Sequence, residues 1–138
     1  MLAISNKSLY GLRAVLALAE HFQLGLLQIK EIAAQHNIPP QYLEQIFNRL
    51  GKAGIVRSVR GQKGGFQLAA EPAAISVLDV LNILEGGIEL APTVHNSADP
   101  VAELLLAAQN NLKETLQVSL AELVARQQSL RRSLVYHI

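Results

Sequence analysis

Gln41, Gln45, Asn48 and Lys52 recur at i, i+4, i+7 and i+11, so on a helix they share one face, with Glu44 and Arg49 at its margins. Leu43, Ile46, Phe47 and Leu50, spaced i, i+3, i+4 and i+7, take the opposite face. The polar side offers planar hydrogen bonding. Carboxamides pair bidentately with adenine edges, Arg and Lys with guanine, and a carboxylate accepts from cytosine. Gln41, Glu44 and Gln45 stand at the start of the helix, where a reading helix reaches base edges. Asn48, Arg49 and Lys52 stand further along and suit phosphate. A merely solvated helix face would carry the same residue types, and periodicity alone does not choose between the two. The segments on either side do.

After the helix, Ile55 to Val59 is strand-like, Arg60-Gly-Gln-Lys-Gly-Gly65 is a turn, and Phe66-Gln-Leu68 returns as a second strand. Arg57, Arg60 and Lys63 lie on or around this hairpin. A slim Arg60-Gly61 tip fits a narrow minor groove, whose negative potential attracts guanidinium groups. The bland alternative is a hairpin whose glycines supply positive φ and whose charges are solvated. A phosphate-loop reading of Gly61 to Gly65 fails. No helix follows directly, and the Gly-x-x-x-x-Gly-Lys-Ser/Thr pattern is absent.

Other elements must position these two. Ser8 to Phe22 has helical spacing in Leu9, Leu12, Val15, Leu16, Ala19 and Phe22, with Ser8 as its expected cap. A short helix over about 28–36 and a turn through Pro39 lead to Pro40, which suits a first helical position. Gly54 suits the C-terminal cap of the polar-faced helix, and Gly51 inside it costs about 1 kcal/mol relative to Ala. Ser76-Val-Leu-Asp79 is a capping-box variant opening a fourth helix to about Glu85, stopped by Gly86-Gly87. Residues 88–99 form a loop containing Pro92. Pro100 opens a longer helix with one apolar stripe: Val101, Leu104, Leu105, Ala108, Leu112 and Leu116. Ser119-Leu-Ala-Glu122 reads as a second capping box, starting a last helix with Leu120, Leu123 and Val124. The polar, basic tail from Arg126 to Ile138 carries no decisive pattern.

The fold expected is mainly α with a small β-hairpin wing: a winged helix-turn-helix plus a long C-terminal dimerisation helix. The expected division is 1–87 for the winged module, 88–99 for a loop, and 100–138 for the dimerisation helix, short helix and tail. The stripe of the long helix is assigned to a subunit interface. Some 18 residues span ~27 Å, more than so small a domain requires, and a two-fold pair doubles a reading surface.

Charge follows the same division. Residues 1–68 hold eight Lys/Arg against three acids, +5, and residues 69–138 hold four against eight, −4, which gives the net +1. A basic half joined to an acidic one is the asymmetry of a polyanion-binding module attached to something else. There is no cysteine, which removes disulfides and thiolate-held metal sites. His21, His36 and His137 form no spaced ligand set, and no nucleophile elbow accompanies the serines, so no enzyme is expected. No signal peptide and no apolar run of ~18 residues are seen, so a cytoplasmic protein without a membrane partner is expected.

Tyr42-Leu-Glu-Gln45, Lys52-Ala-Gly-Ile-Val-Arg-Ser-Val-Arg-Gly61, Gly64-Gly-Phe66 and Ile75-Ser-Val-Leu-Asp-Val80 resemble the Rrf2 family of bacterial winged-helix transcription regulators. The resemblance is close over about residues 1–87 and looser through Val118-Ser-Leu-Ala-Glu-Leu123. It implies a homodimer on a partly palindromic double-stranded DNA operator, touching DNA through Gln41, Tyr42, Glu44, Gln45, Arg60 and Gly61. The best-known members carry three cysteines between the fourth helix and the dimerisation helix, holding an iron–sulfur cluster. Here that loop offers Glu89, His95 and Asp99, better read as solvated polar residues than as metal ligands, and no cofactor is expected. Gln28 and Pro39 stand where many relatives have Ser, which leaves the side-chain caps of the second and third helices in question. Control by a protein partner such as a metabolic enzyme, or by a small-molecule effector, is the first alternative. An oligomeric adaptor that binds only protein is the second, and Arg60-Gly61 argues against it.

Overall fold

The computed structural model describes residues 2–94 and 99–136. In chain order these form α1 (Asn6–Glu20), α2 (Ile29–His36), α3 (Pro40–Lys52), β1 (Val56–Val59), β2 (Gly65–Leu68), α4 (Val77–Glu85), α5 (Pro100–Leu116) and α6 (Leu120–Tyr136), with a 3-10 turn at Pro72–Ala74. The architecture is mainly α with a two-stranded antiparallel wing, as the sequence led us to expect.

The first helix departs from its sequence reading in two ways. Its cap is Ser5, whose Oγ accepts from the Ser8 N–H at 3.2 Å; Ser8 lies inside the helix and is fully buried. The buried face is also turned. Gly11, Ala14, Val15 and Leu18 are buried, whereas Leu9 is exposed and Leu12 and Leu16 are half-buried. The cause is close approach. A Cβ on Gly11 would collide with Leu84 of α4 and come 3.3 Å from Ile46 of α3. Small residues therefore mark the innermost face, because two other helices press on it.

The turn between α2 and α3 is set by Asn37 in the left-handed region (φ 54°) and by buried Ile38. Neither Gln28 nor Pro39 gives a side-chain cap, and Pro40 opens α3 at its first positions. At the far end, Gly54 (φ 82°) donates to the Gly51 carbonyl at 3.1 Å and Ile55 donates to the Leu50 carbonyl at 2.9 Å. That pair of bonds is a Schellman stop, needing a residue without a Cβ penalty at positive φ. Gly54 thus ends α3 and aims the chain into the wing.

The wing pairs Val56 with Leu68, Arg57 with Gln67, Ser58 with Phe66 and Val59 with Gly65. Its inner edge is met by Leu27, which exchanges backbone bonds with Phe66 at 3.0 and 2.7 Å. A Cβ on Gly65 would sit 2.6 Å from the Leu27 carbonyl oxygen, so this backbone contact requires glycine.

The α4 capping box forms in both directions: Asp79 N–H to Ser76 Oγ at 3.0 Å and Ser76 N–H to Asp79 Oδ2 at 2.9 Å. At α6, the Glu122 N–H donates to Ser119 Oγ at 3.1 Å. Ser119 and Ser76 form a short antiparallel bridge, with Val77 donating to Val118 and Leu120 donating to Ile75, each at 2.9 Å. This bridge pins the start of α6 to the start of α4. The expected polar tail is helix through Tyr136. It lies back on α1: Leu120 is fully buried in the core, and Arg131 pairs with Glu20 at 3.0 Å. With its amide turned so that nitrogen faces Glu20, Gln127 completes the clasp, donating to Glu20 at 2.7 Å and accepting from Arg131 at 2.9 Å.

Candidate nucleic-acid interface

The two faces of α3 are those the spacing predicts. Leu43, Ile46, Phe47 and Leu50 are at most 1% exposed, and Gln41, Tyr42, Glu44, Gln45, Asn48, Arg49 and Lys52 are all exposed. The apolar face packs on α1, α2 and α4. A helix held from behind presents its other side at a fixed angle.

Tyr42, at the start of α3, is 41% exposed. Its ring meets Tyr10 of α1 edge-to-face, centroids 5.9 Å apart at 83°. At the wing tip Arg60, Gly61 and Lys63 are exposed. Gly61 takes φ 122° and its carbonyl accepts from the Gly64 N–H at 3.0 Å, while a Cβ on Gly64 would strike the Val59 carbonyl. The tip is narrow because its backbone is folded on itself.

Between α3 and the wing runs a groove. Glu44, Asn48, Lys52, Arg57 and Arg60 line it, over a floor that includes Phe47 and Phe66, whose rings lie 4.8 Å apart. The fold thus unites five of the predicted contact residues from two elements. Gln41, Tyr42, Gln45 and Arg49 share the exposed face of α3 but do not line that groove, and Lys63 stands out at the tip. Two residues at this surface escaped the sequence reading. Tyr10 backs Tyr42, and Gln67 lies opposite Arg57 in the hairpin. The strand register, once known, gives the second pair; nothing in the helical spacing of α1 marks the first.

The long-helix stripe is disposed as follows. Val101 and Leu104 are 67% and 68% exposed, Ala108 and Leu112 are exposed, and Leu105 and Leu116 are half-buried. The inner side of α5 is instead Ala102, which is buried, and Gln109, whose Oε1 accepts from the Leu90 N–H at 2.9 Å. Asp99 is the cap of α5; its Oδ1 accepts from the Val101 and Ala102 N–H groups at 2.9 and 3.0 Å. Glu89 is exposed, and His95 lies outside the described residues. Among the described residues no group of three or more His, Cys, Asp or Glu is placed to hold a metal ion.

Away from the groove, Glu85 at the end of α4 accepts from the Ser5 N–H at 2.9 Å and the Ser5 hydroxyl at 2.8 Å. The neighbouring Ser8 hydroxyl, these two Ser5 donors and the positive charge of Lys7 hold its carboxyl below the ordinary carboxylate range.

A reading helix docked on a three-helix support, followed by a cationic hairpin, defines a winged helix-turn-helix module. The chain matches the family model described as Rrf2, iron-dependent transcriptional regulator, over residues 4–126, and it belongs to that family. It is 35% identical over 119 residues to the HTH-type transcriptional regulator CymR of Bacillus subtilis (strain 168), covering 86% of each chain. It is 36% identical over 96 residues to IscR of Vibrio atlanticus (strain LGP32), spanning 70% of this chain and 55% of that one. The structure of CymR, the global cysteine regulator of B. subtilis, superposes with a TM-score of 0.81 at 36% identity, covering 91% of this chain and 98% of that chain. The T. potens IscR structure gives 0.79 at 34% identity, covering 91% and 88%. The family and these relatives are transcription regulators, and this chain is a DNA-binding transcription regulator, not an enzyme.

The family description includes iron, so the donor set matters. A thiolate-held cluster requires cysteine, and the chain has none. Of the oxygen donors in the loop, Asp99 is already engaged as a helix cap. The residues present do not fit a cysteine-ligated cluster.

Proposed function

We propose that this regulator acts as a homodimer reading a partly palindromic double-stranded DNA operator, without an iron–sulfur cluster. One observation carries the reading: the exposed face of α3 and the cationic wing bound a single groove, with Lys52, Arg57 and Arg60 along it. In this reading α3 enters the major groove, where Gln41, Glu44 and Gln45 meet base edges and Tyr42 flanks them. Asn48, Arg49 and Lys52 meet phosphates and set the register. Arg60 and Gly61 enter the neighbouring minor groove, with Lys63 alongside.

The dimer part rests on α5. It is 17 residues long, about 26 Å by its rise, and turns Val101, Leu104, Ala108 and Leu112 to solvent. A second copy crossing it would cover that stripe and place two reading helices on one side. Residues 1–87 then act as the reading module, 88–99 as the loop between, and α5 as the joint.

Selection of bound sequences from a random duplex pool, with the purified full chain, tests this. Enrichment of two related half-sites at a fixed spacing is expected. Recovery of no sequence preference at low salt would overturn the reading.

A further inference from the structure

Arg57 and Gln67 are directly opposed in the β1–β2 register, so their side chains leave the hairpin together. Arg57 is exposed and Gln67 half-buried. With its amide oxygen turned towards Arg57, Gln67 accepts from Nη2 at 2.6 Å and from Nε at 3.0 Å. A guanidinium carries five N–H donors in one rigid plane. They form two forks, an Nε/Nη2 edge and an Nη1/Nη2 edge. Gln67 occupies the first. The second edge has no protein partner among the described hydrogen bonds and ion pairs.

The identity of the partner matters as much as its position. A carboxylate at residue 67 would hold the guanidinium equally well but neutralise it. A carboxamide fixes the plane and leaves the full positive charge. That combination, an oriented fork with uncompensated charge, is what bidentate capture of a phosphate requires. Arg57 also lines the groove shared with Lys52 and Arg60, so the fork stands beside the surface assigned to DNA.

We propose that Gln67 is a positioning residue for DNA binding: it holds Arg57 so that the Nη1/Nη2 edge meets a backbone phosphate beside the wing. The inference rests on the DNA-reading function given above. Its physical content is pre-organisation. The rotamer freedom of a long side chain is lost on folding, before DNA arrives, so less is lost on binding.

The test is a double-mutant cycle on a selected operator duplex, using the full chain and its Arg57→Ala, Gln67→Ala and doubly substituted forms. Arg57→Ala should weaken binding about tenfold, the loss of a charged hydrogen bond. It should also reduce the steepness of the log affinity–log salt line by about 0.9 per bound chain. Gln67→Ala should weaken binding about threefold when Arg57 is present and not when it is absent. Gln67→Glu keeps the acceptor and cancels the charge, so it should weaken binding more than Gln67→Ala. Equal losses from Gln67→Ala in both backgrounds, or an unchanged salt line in Arg57→Ala, would overturn the proposal while leaving the function intact. Failure of the unsubstituted chain to bind any selected duplex would overturn both. Gln67→Met, of similar length, replaces Gln67→Ala if the latter unfolds at a lower temperature, and the same outcomes decide.

Discussion

Replacing Gln45 by alanine removes a carboxamide from the exposed face of α3 without touching the packed one. If that group reads a base, the substitution relaxes preference at one half-site position by roughly 1–3 kcal/mol and leaves other positions alone. Profiling the selected sequences of the variant measures this, and uniform weakening at every position would reassign Gln45 to phosphate. Arg60→Ala acts differently, because its guanidinium sits on the narrow tip. Binding should fall most on sites with A·T-rich flanks, where the minor groove is narrow; equal binding to all flanks would remove the tip from the mechanism. Glu85 gives a prediction about acid. Its carboxyl is held below the ordinary value of 4.5, so its folded form favours the charged state. The stability it adds is fully present above that value and is lost as pH falls through the depressed one. Unfolding midpoints followed through this acid range should decline less steeply in Glu85→Gln than in the unsubstituted chain. Parallel declines would show that Glu85 is not the group responsible.

Elements differ in how openly the sequence declares them. The faces of α3 were legible because Leu43, Ile46, Phe47 and Leu50 are all large and apolar while Gln41, Glu44, Gln45, Asn48, Arg49 and Lys52 are all polar, so spacing alone sorts them. The box at Ser76 and Asp79 was legible because capping is local chemistry. The inner face of α1 was not, since it is centred on Gly11, chosen for closeness to Ile46 and Leu84, which only the tertiary arrangement brings near. The length of α6 was not legible either. Its buried side is narrow, chiefly Leu120 with Val124 beside it, and its polar ties to α1 join Gln127 and Arg131 to Glu20, which lies far from them in sequence. Two substitutions probe these elements. Gly65→Ala puts a methyl group against the Leu27 carbonyl and should cost about 1–3 kcal/mol as an overpacked site, read by urea unfolding. An unchanged midpoint would mean that Leu27 moves aside freely. Leu120→Ala should cost about 2–5 kcal/mol, because that side chain is fully buried among α1 and its neighbours.

For the whole molecule the proposed dimer is tested at α5. Leu104→Glu introduces charge on the stripe while leaving the chain's own core untouched, since Leu104 is 68% exposed. Sedimentation should show a shift from dimer to monomer with the fold retained. A stable dimer in this variant would move the interface elsewhere. Glu44, Asn48, Lys52, Arg57 and Arg60 were traceable in the sequence as types and spacings, but their union in one groove was not. It depends on the Gly54 stop and the Leu27 bridge, which set how the wing stands against α3.

The return of α6 to α1 has a consequence for how the chain is made. Ser5 finds Glu85 of α4 across 80 positions and Glu20 finds Arg131 of α6 across 111, so the first helix is completed by two later ones. During synthesis the reading module therefore emerges early but stays unfinished. Its first helix waits with one side bare until α6 has left the ribosome. A chain that stops before α6, even one carrying every residue assigned to DNA, would offer that bare side to chaperones and proteases.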